Sequence, residues 1–140
     1  MSDRIRLLIV DDQVSVRKGL QALLQLERGL VIVGTATNGL EAVDLAERLQ
    51  PDIILMDLHM PHLDGLEATR RIRSKRLGMR IILLTTHSDA TCEQEARQAG
   101  ADALVEKGAS DAALMRIMEL LHSDGAVAAD DSALGAARRR

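Results

Sequence analysis

The chain has 140 residues, 46% of them apolar, and contains no Phe, Tyr or Trp. One hydrophobic core is within its means, built from Leu, Ile, Val, Met and Ala, but it has no aromatic platform for stacking single-stranded nucleic acid. A formal charge of -3 argues against nucleic-acid or anionic-membrane binding by this chain alone. No apolar run approaches the roughly 20 residues of a spanning helix. Cys92 is the lone cysteine, and Met1-Ser2-Asp3-Arg4 lacks a signal-peptide plan, so the expectation is a cytoplasmic protein without disulfides.

Residues 5–10 are apolar except for Arg6 and read as a buried strand closed by Asp11 and Asp12. Val16, Leu20, Leu23 and Leu24 recur at helical spacing and predict a helix over residues 14–26, ended by Gly29. A second strand covers residues 30–36, and Asn38-Gly39 reads as a turn. Leu40, Val43, Ala46 and Leu49 would line one face of a second helix, which Pro51 stops. Residues 53–56 are a third, fully buried strand delivering Asp57 at its end. Asp64 caps a third helix that buries Leu66, Thr69 and Ile72.

Gly78 precedes a fourth strand, residues 80–84. The polar loop Thr85-Thr86-His87-Ser88-Asp89 follows, with Ser88 or Asp89 capping a fourth helix that Gly100 ends. Residues 102–105 form the fifth strand. After Lys107-Gly108-Ala109, Ser110 caps a fifth helix whose core stripe is Leu114, Ile117, Met118 and Leu121, with Met115 and Leu120 as extra apolar positions. From Ser123 the chain loses its apolar period, so residues 123–140 are expected to be a flexible tail or a truncated linker. Five strands alternating with five helices through short loops predict an α/β domain, a parallel sheet covered on both faces.

The residues just after the strands converge on one chemistry. Asp11 and Asp12 follow the first strand, Asp57 the third, Thr85 and Thr86 the fourth and Lys107 the fifth. Open α/β sheets bind ligands beyond these carboxyl ends. Each residue has an ordinary alternative: a helix cap, a turn, a strand-end β-branched residue, a solvated lysine. Their coincidence at one edge favours a site. Three adjacent carboxylates resist full ionisation, which a divalent cation relieves, and hard oxygen ligands favour Mg²⁺. Such a site suits a phosphoryl group, with Lys107 and Thr85 on its oxygens and Asp57 attacking phosphorus in line.

The motifs Leu8-Ile9-Val10-Asp11-Asp12, Asp52-Ile53-Ile54-Leu55-Met56-Asp57, Met60-Pro61 with Asp64-Gly65, Leu83-Leu84-Thr85, Ala99-Gly100-Ala101 and Val105-Glu106-Lys107 resemble those of response-regulator receiver domains of two-component signalling, most closely the NarL/LuxR-type branch. The resemblance implies a flavodoxin-like (βα)5 fold of strand order 2-1-3-4-5, with the receiver in residues 1–122. It implies a phosphorylation-dependent switch rather than an enzyme. Asp57 would take a phosphoryl group from a sensor histidine kinase and lose it slowly, altering the face formed by the fourth helix, fifth strand and fifth helix.

By the same resemblance Asp12, Asp57 and the His59 carbonyl would hold Mg²⁺, with Asp11 acting through water. Leu58, Thr85, Thr86 and Lys107 would contact the phosphoryl group, and Thr85 and Leu104 would form the switch. Two residues depart from the family pattern: Gly108 replaces the proline usual after the lysine, which bears on a cis peptide there, and Leu104 replaces the usual aromatic. Helix-turn-helix domains commonly follow such receivers, so this chain is read as a stand-alone receiver or the receiver fragment of a DNA-binding regulator.

Particular residues oppose three other readings. An aspartate-nucleophile phosphatase of the haloacid-dehalogenase kind would want a second Asp two places after Asp57, where His59 stands. A pseudo-receiver would not keep the full Asp11, Asp12, Asp57, Thr85 and Lys107 set. A transition-metal site from His59, His62, His87 and Cys92 has poor spacing. His59 and His87 are expected to rim the cleft and influence water access, and the first or fifth helix to offer a homodimer surface.

Overall fold

The computed structural model describes residues 4–107 and 111–122. Its elements are β1 (Ile5–Val10), α1 (Val14–Leu24), β2 (Leu30–Ala36), α2 (Gly39–Leu49), β3 (Ile53–Asp57), α3 (Gly65–Ser74), β4 (Arg80–Thr85), α4 (Ala90–Ala99), β5 (Ala103–Glu106) and α5 (Asp111–Leu121). The five strands are all parallel, in the order β2-β1-β3-β4-β5. The expected flavodoxin-like α/β topology is therefore the observed one.

Strand alternation divides the core into two layers. Leu8, Val10, Ile54, Met56, Ile81 and Leu83 pack with Ala42 and Ala46 of α2, Ala68 and Ile72 of α3, and Ala96 of α4. Leu7, Ile9, Ile53, Leu55, Ile82 and Leu84 pack with Leu24 of α1 and Ile117, Leu120 and Leu121 of α5. Alanines dominate the first layer's helices and large aliphatics the second's, which supplies bulk without aromatic rings.

Arginines at the starts of two strands finish helices elsewhere. Arg6 donates to the carbonyls of Gln50 (2.6 Å) and Leu49 (2.8 Å), at the end of α2. Arg80 donates to Leu120 (3.0 Å) and Leu121 (3.3 Å), at the end of α5. Each places a cation on orphaned carbonyls at the negative end of a helix, which explains the polar interruption in the otherwise apolar β1.

Several expectations need correction. Leu23 and Leu40 are about half exposed, at 50% and 52%. In α1 the core position is taken by Leu24, which leaves Leu23 on the outer face, and α2 seats Ala42 and Ala46 against the sheet with Leu40 outside. Asn38 is the α2 cap rather than a free turn: its side chain accepts from the Glu41 N–H at 2.9 Å. Leu120 is fully buried and joins Ile117 and Leu121 on the inner face of α5, with Met118 packed against them as expected, leaving Met115 exposed. The expected Ser110 cap, the Leu114 side chain, the Lys107–Gly108 peptide and residues 123–140 lie outside the described residues.

Candidate phosphoryl and cation site

The sheet order reverses between β1 and β3, and the cleft beyond their carboxyl ends holds the acidic residues. Asp11, Asp12 and Asp57 each present a carboxylate oxygen, all within 4.8 Å of one another. Asp11 is fully buried, Asp57 nearly so, and Asp12 is exposed. The Lys107 ammonium lies 3.1 Å from Asp11 Oδ2 and 3.3 Å from Asp57 Oδ1, bridging the two buried carboxylates.

Burial pushes the Asp57 carboxyl above its ordinary value; Lys107 opposes the shift and Asp11 adds to it. A further cation at this cleft would remove that penalty. Three hard oxygens at this spacing, one of them open to solvent, fit a small divalent ion that keeps some of its water.

Backbone contacts fix the cleft. Asp11 Oδ1 accepts from the Gln13 N–H (2.9 Å) and Arg17 donates to the Asp11 carbonyl (2.8 Å). Asp57 Oδ1 accepts from the His59 N–H at 3.4 Å. The segment after Asp57 is held by two close approaches that only glycine allows. A Cβ on Gly65 would lie 2.5 Å from the Asp57 carbonyl oxygen, and one on Gly39 would lie 2.3 Å from that of Leu63. The two glycine amides reinforce this, donating to the Leu58 (2.8 Å) and Leu63 (3.0 Å) carbonyls.

Leu58 is a correction. Its N–H donates to the Leu84 carbonyl at 2.7 Å, so the amide facing the Asp57 carboxylate is that of His59. Thr85 is fully buried, and its hydroxyl turns into its own loop, donating to the His87 carbonyl (3.0 Å) and accepting from the His87 N–H (3.3 Å). Thr86 is exposed at the head of that loop. Leu104 is half-buried and packs on the layer shared by α2, α3 and α4.

The His59, His62 and His87 side chains are exposed. Among the described residues the cation-holding cluster is the aspartate one, and no His/Cys group assembles beside it. Reasoning from sequence missed Gly39 and Arg17 as supports, and also Arg73. Arg73 donates to Asp102 Oδ2 (2.8 Å) and to the carbonyls of Gly100 (2.9 Å), Leu77 (3.0 Å) and Met79 (2.7 Å). Nothing in the local pattern of α3 separates Arg73 from its solvated neighbours Arg70 and Arg71.

Comparison with known proteins agrees with this geometry. Residues 7–119 match the family described as the response regulator receiver domain. The chain is 40% identical over 123 residues to the transcriptional regulatory protein LnrK of Bacillus subtilis, covering 88% of this chain and 56% of LnrK. It thus spans about half the length of the curated relatives it matches. The receiver domain of the putative response regulator NarL from Mycobacterium tuberculosis superposes with a TM-score of 0.78 at 26% identity, over 86% of this chain and 98% of that one. CheY in the CheX-CheY-BeF3-Mg complex from Borrelia burgdorferi is similar as well, with a TM-score of 0.75 at 26% identity over 82% of this chain and 87% of the matched one.

Proposed function

This chain belongs to the response-regulator receiver family of two-component signalling, with NarL/LuxR-type regulators among its relatives, and on that premise we propose that Asp57 is its phosphoacceptor. Family members are signalling and transcription regulators rather than enzymes in general, and their standard role is a phosphorylation switch. That weighs against the phosphatase alternative. The observation that carries the proposal is the convergence of three carboxylate oxygens within 4.8 Å, two of the carboxylates bridged by Lys107.

In this reading an Asp57 oxygen attacks the phosphorus of a phosphohistidine on a sensor kinase. The P–N bond breaks, its electron pair returns to the imidazole, and an acyl phosphate forms. Lys107 shifts from its carboxylate bridge to a phosphoryl oxygen, and the His59 and Thr86 amides with the Thr85 hydroxyl meet the others. Mg²⁺ held by Asp11, Asp12, Asp57 and the His59 carbonyl would neutralise charge building on the phosphoryl oxygens. Slow hydrolysis of the acyl phosphate resets the switch, with exposed His59 and His87 tuning water access.

Leu104 has no ring to swing between exposed and buried states, so transmission falls to Thr85 and α4. The unit is residues 1–122, with residues 123–140 as tail or linker. It works in the cytoplasm, where its kinase partner delivers the phosphoryl group. Among the described residues no helix is long and apolar enough to cross a membrane. DNA binding, if the whole protein has it, belongs to a separate domain. A homodimer would use α1, whose Val14 and Leu23 are exposed, or the Met115 side of α5; the burial of Leu120 narrows the latter. Sedimentation with and without phosphorylation reads that directly.

The test of the phosphoacceptor is intact mass after acetyl phosphate and Mg²⁺. One phosphate is expected on the native chain and none on Asp57→Ala. Phosphate on the variant would place the nucleophile elsewhere.

A further inference from the structure

The loop between β4 and α4 is tied to the neighbouring strand β5 through Glu106. The Ser88 N–H donates to Glu106 Oε1 at 3.4 Å. Glu106 pairs with Thr85 in the parallel register of β4 and β5. It also immediately precedes Lys107, whose amide donates to the Thr85 carbonyl at 2.6 Å. One exposed carboxylate thus stands beside the strand end that carries Thr85 and grips the loop three residues further on.

Within that loop His87 draws the Thr85 hydroxyl inward. Its hydroxyl is engaged twice by His87, and the Cys92 thiol reaches the same His87 carbonyl at 3.7 Å. For the Thr85 hydroxyl to meet a group on Asp57, it must give up both hydrogen bonds to His87, and any accompanying shift of the backbone from Thr86 to Ser88 would strain the loop's link to β5. The Ser88–Glu106 hydrogen bond opposes that shift.

Resting on the phosphoacceptor reading above, we infer that Glu106 is a positioning residue that acts through Thr85: it tethers the β4–α4 loop in the conformation that keeps the Thr85 hydroxyl on His87. The tether biases the switch toward its unphosphorylated form. Because Glu106 is exposed, its removal leaves the core intact.

Two measurements test this. The first is calorimetric titration with beryllium fluoride and Mg²⁺, in the native chain and in Glu106→Ala, each with Thr85 and with Thr85→Ala. Glu106→Ala is expected to bind the mimic about two- to tenfold more tightly, the range one hydrogen bond supports, and the gain should vanish in Thr85→Ala. Glu106→Gln keeps an acceptor without the charge and should lie near the native value. An equal gain in both Thr85 backgrounds would reduce Glu106 to a simple charge effect and overturn the inference, as would no gain or weaker binding.

The second is the rate of thiol labelling of Cys92 without any mimic. Labelling should quicken by a similar factor in Glu106→Ala, because a released loop frees the thiol from His87. An unchanged rate overturns the tether. If the native chain binds no mimic, the phosphoacceptor reading is what fails, and the labelling rate still decides whether Glu106 holds the loop.

Discussion

On the α3 side of the cleft, backbone meets backbone. Gly65 lies against Asp57 and Leu58, Gly39 against Leu63, and α3 buries Ala68, Thr69 and Ile72 behind them. On the α4 side the contacts are side-chain hydrogen bonds to a loop, and α4 buries only Ala96 and Ala99. Its C-terminal end is firmly held, since Gly100 accepts from Arg73. Its N-terminal end depends on Asp89, whose side chain caps the Cys92 N–H at 2.8 Å, and on the loop to Glu106. The difference separates tasks. The side that positions Asp57 has no slack, whereas the side proposed to report its state is held at its N-terminal end by side-chain hydrogen bonds. Hydrogen exchange should therefore change on binding beryllium fluoride in the first turns of α4 more than in α3.

The comparison breaks most easily at its rigid half. Gly65→Ala forces a Cβ into the Asp57 carbonyl, where neither partner is a flexible side chain. A loss of about 3 kcal/mol is expected by chemical denaturation, with phosphate acceptance lost as Asp57 moves. A loss under about 1 kcal/mol would mean the segment has room and the rigidity is illusory.

Next come paired truncations. Ile72→Ala in α3 should cost about 3 kcal/mol as a cavity in a filled layer. Ala96→Gly in α4 should cost about 1 kcal/mol, mostly helix propensity. Equal costs would remove the asymmetry between the helices.

A smaller effect, of opposite sign, concerns Asp57. Asp57 is buried against Asp11 with one lysine between them. Asp57→Asn removes one carboxylate from that cluster and should stabilise the metal-free protein by about 1 kcal/mol at neutral pH. The sign follows from the raised folded-state value: the folded protein holds the proton longer than the unfolded chain. Native stability therefore falls as pH rises from the ordinary carboxylate value of 3.8 through the raised one, and the full penalty applies above it. The variant should lack that component. A variant less stable than the native chain at neutral pH would show that Lys107 outweighs burial.

What the sequence made legible follows the same division. Strand positions, sheet order and the five acidic, hydroxyl and ammonium residues at the strand ends were readable because each depends on local period or on a motif. Helix faces were less so: Leu23, Leu40 and Leu120 were misassigned because a short helix with several leucines supports more than one stripe, and only packing chooses. Leu58 was misread because ladder hydrogen bonding continues one residue past the carboxylate. Arg73 and Glu106 left no signal because their partners are distant in the chain, and Arg17 left none because its partner is a backbone carbonyl, that of Asp11.

The smallest predicted effect probes whether the rigid side also carries strain. His62, in the segment between Asp57 and α3, has φ 70°, in the left-handed region that a Cβ disfavours by about 1 kcal/mol. Histidine tolerates it better than most residues. His62→Gly relieves the contact but frees the unfolded chain, a loss of comparable size. The two nearly cancel, and the expected change is a gain of about 0.5 kcal/mol or less. The imidazole is exposed, and among the described residues its ring has no hydrogen bond to forfeit. Stability and phosphate lifetime should both stay close to native. A loss above about 1 kcal/mol would show that the His62 side chain itself braces the segment, beyond the close backbone approaches at Gly65 and Gly39.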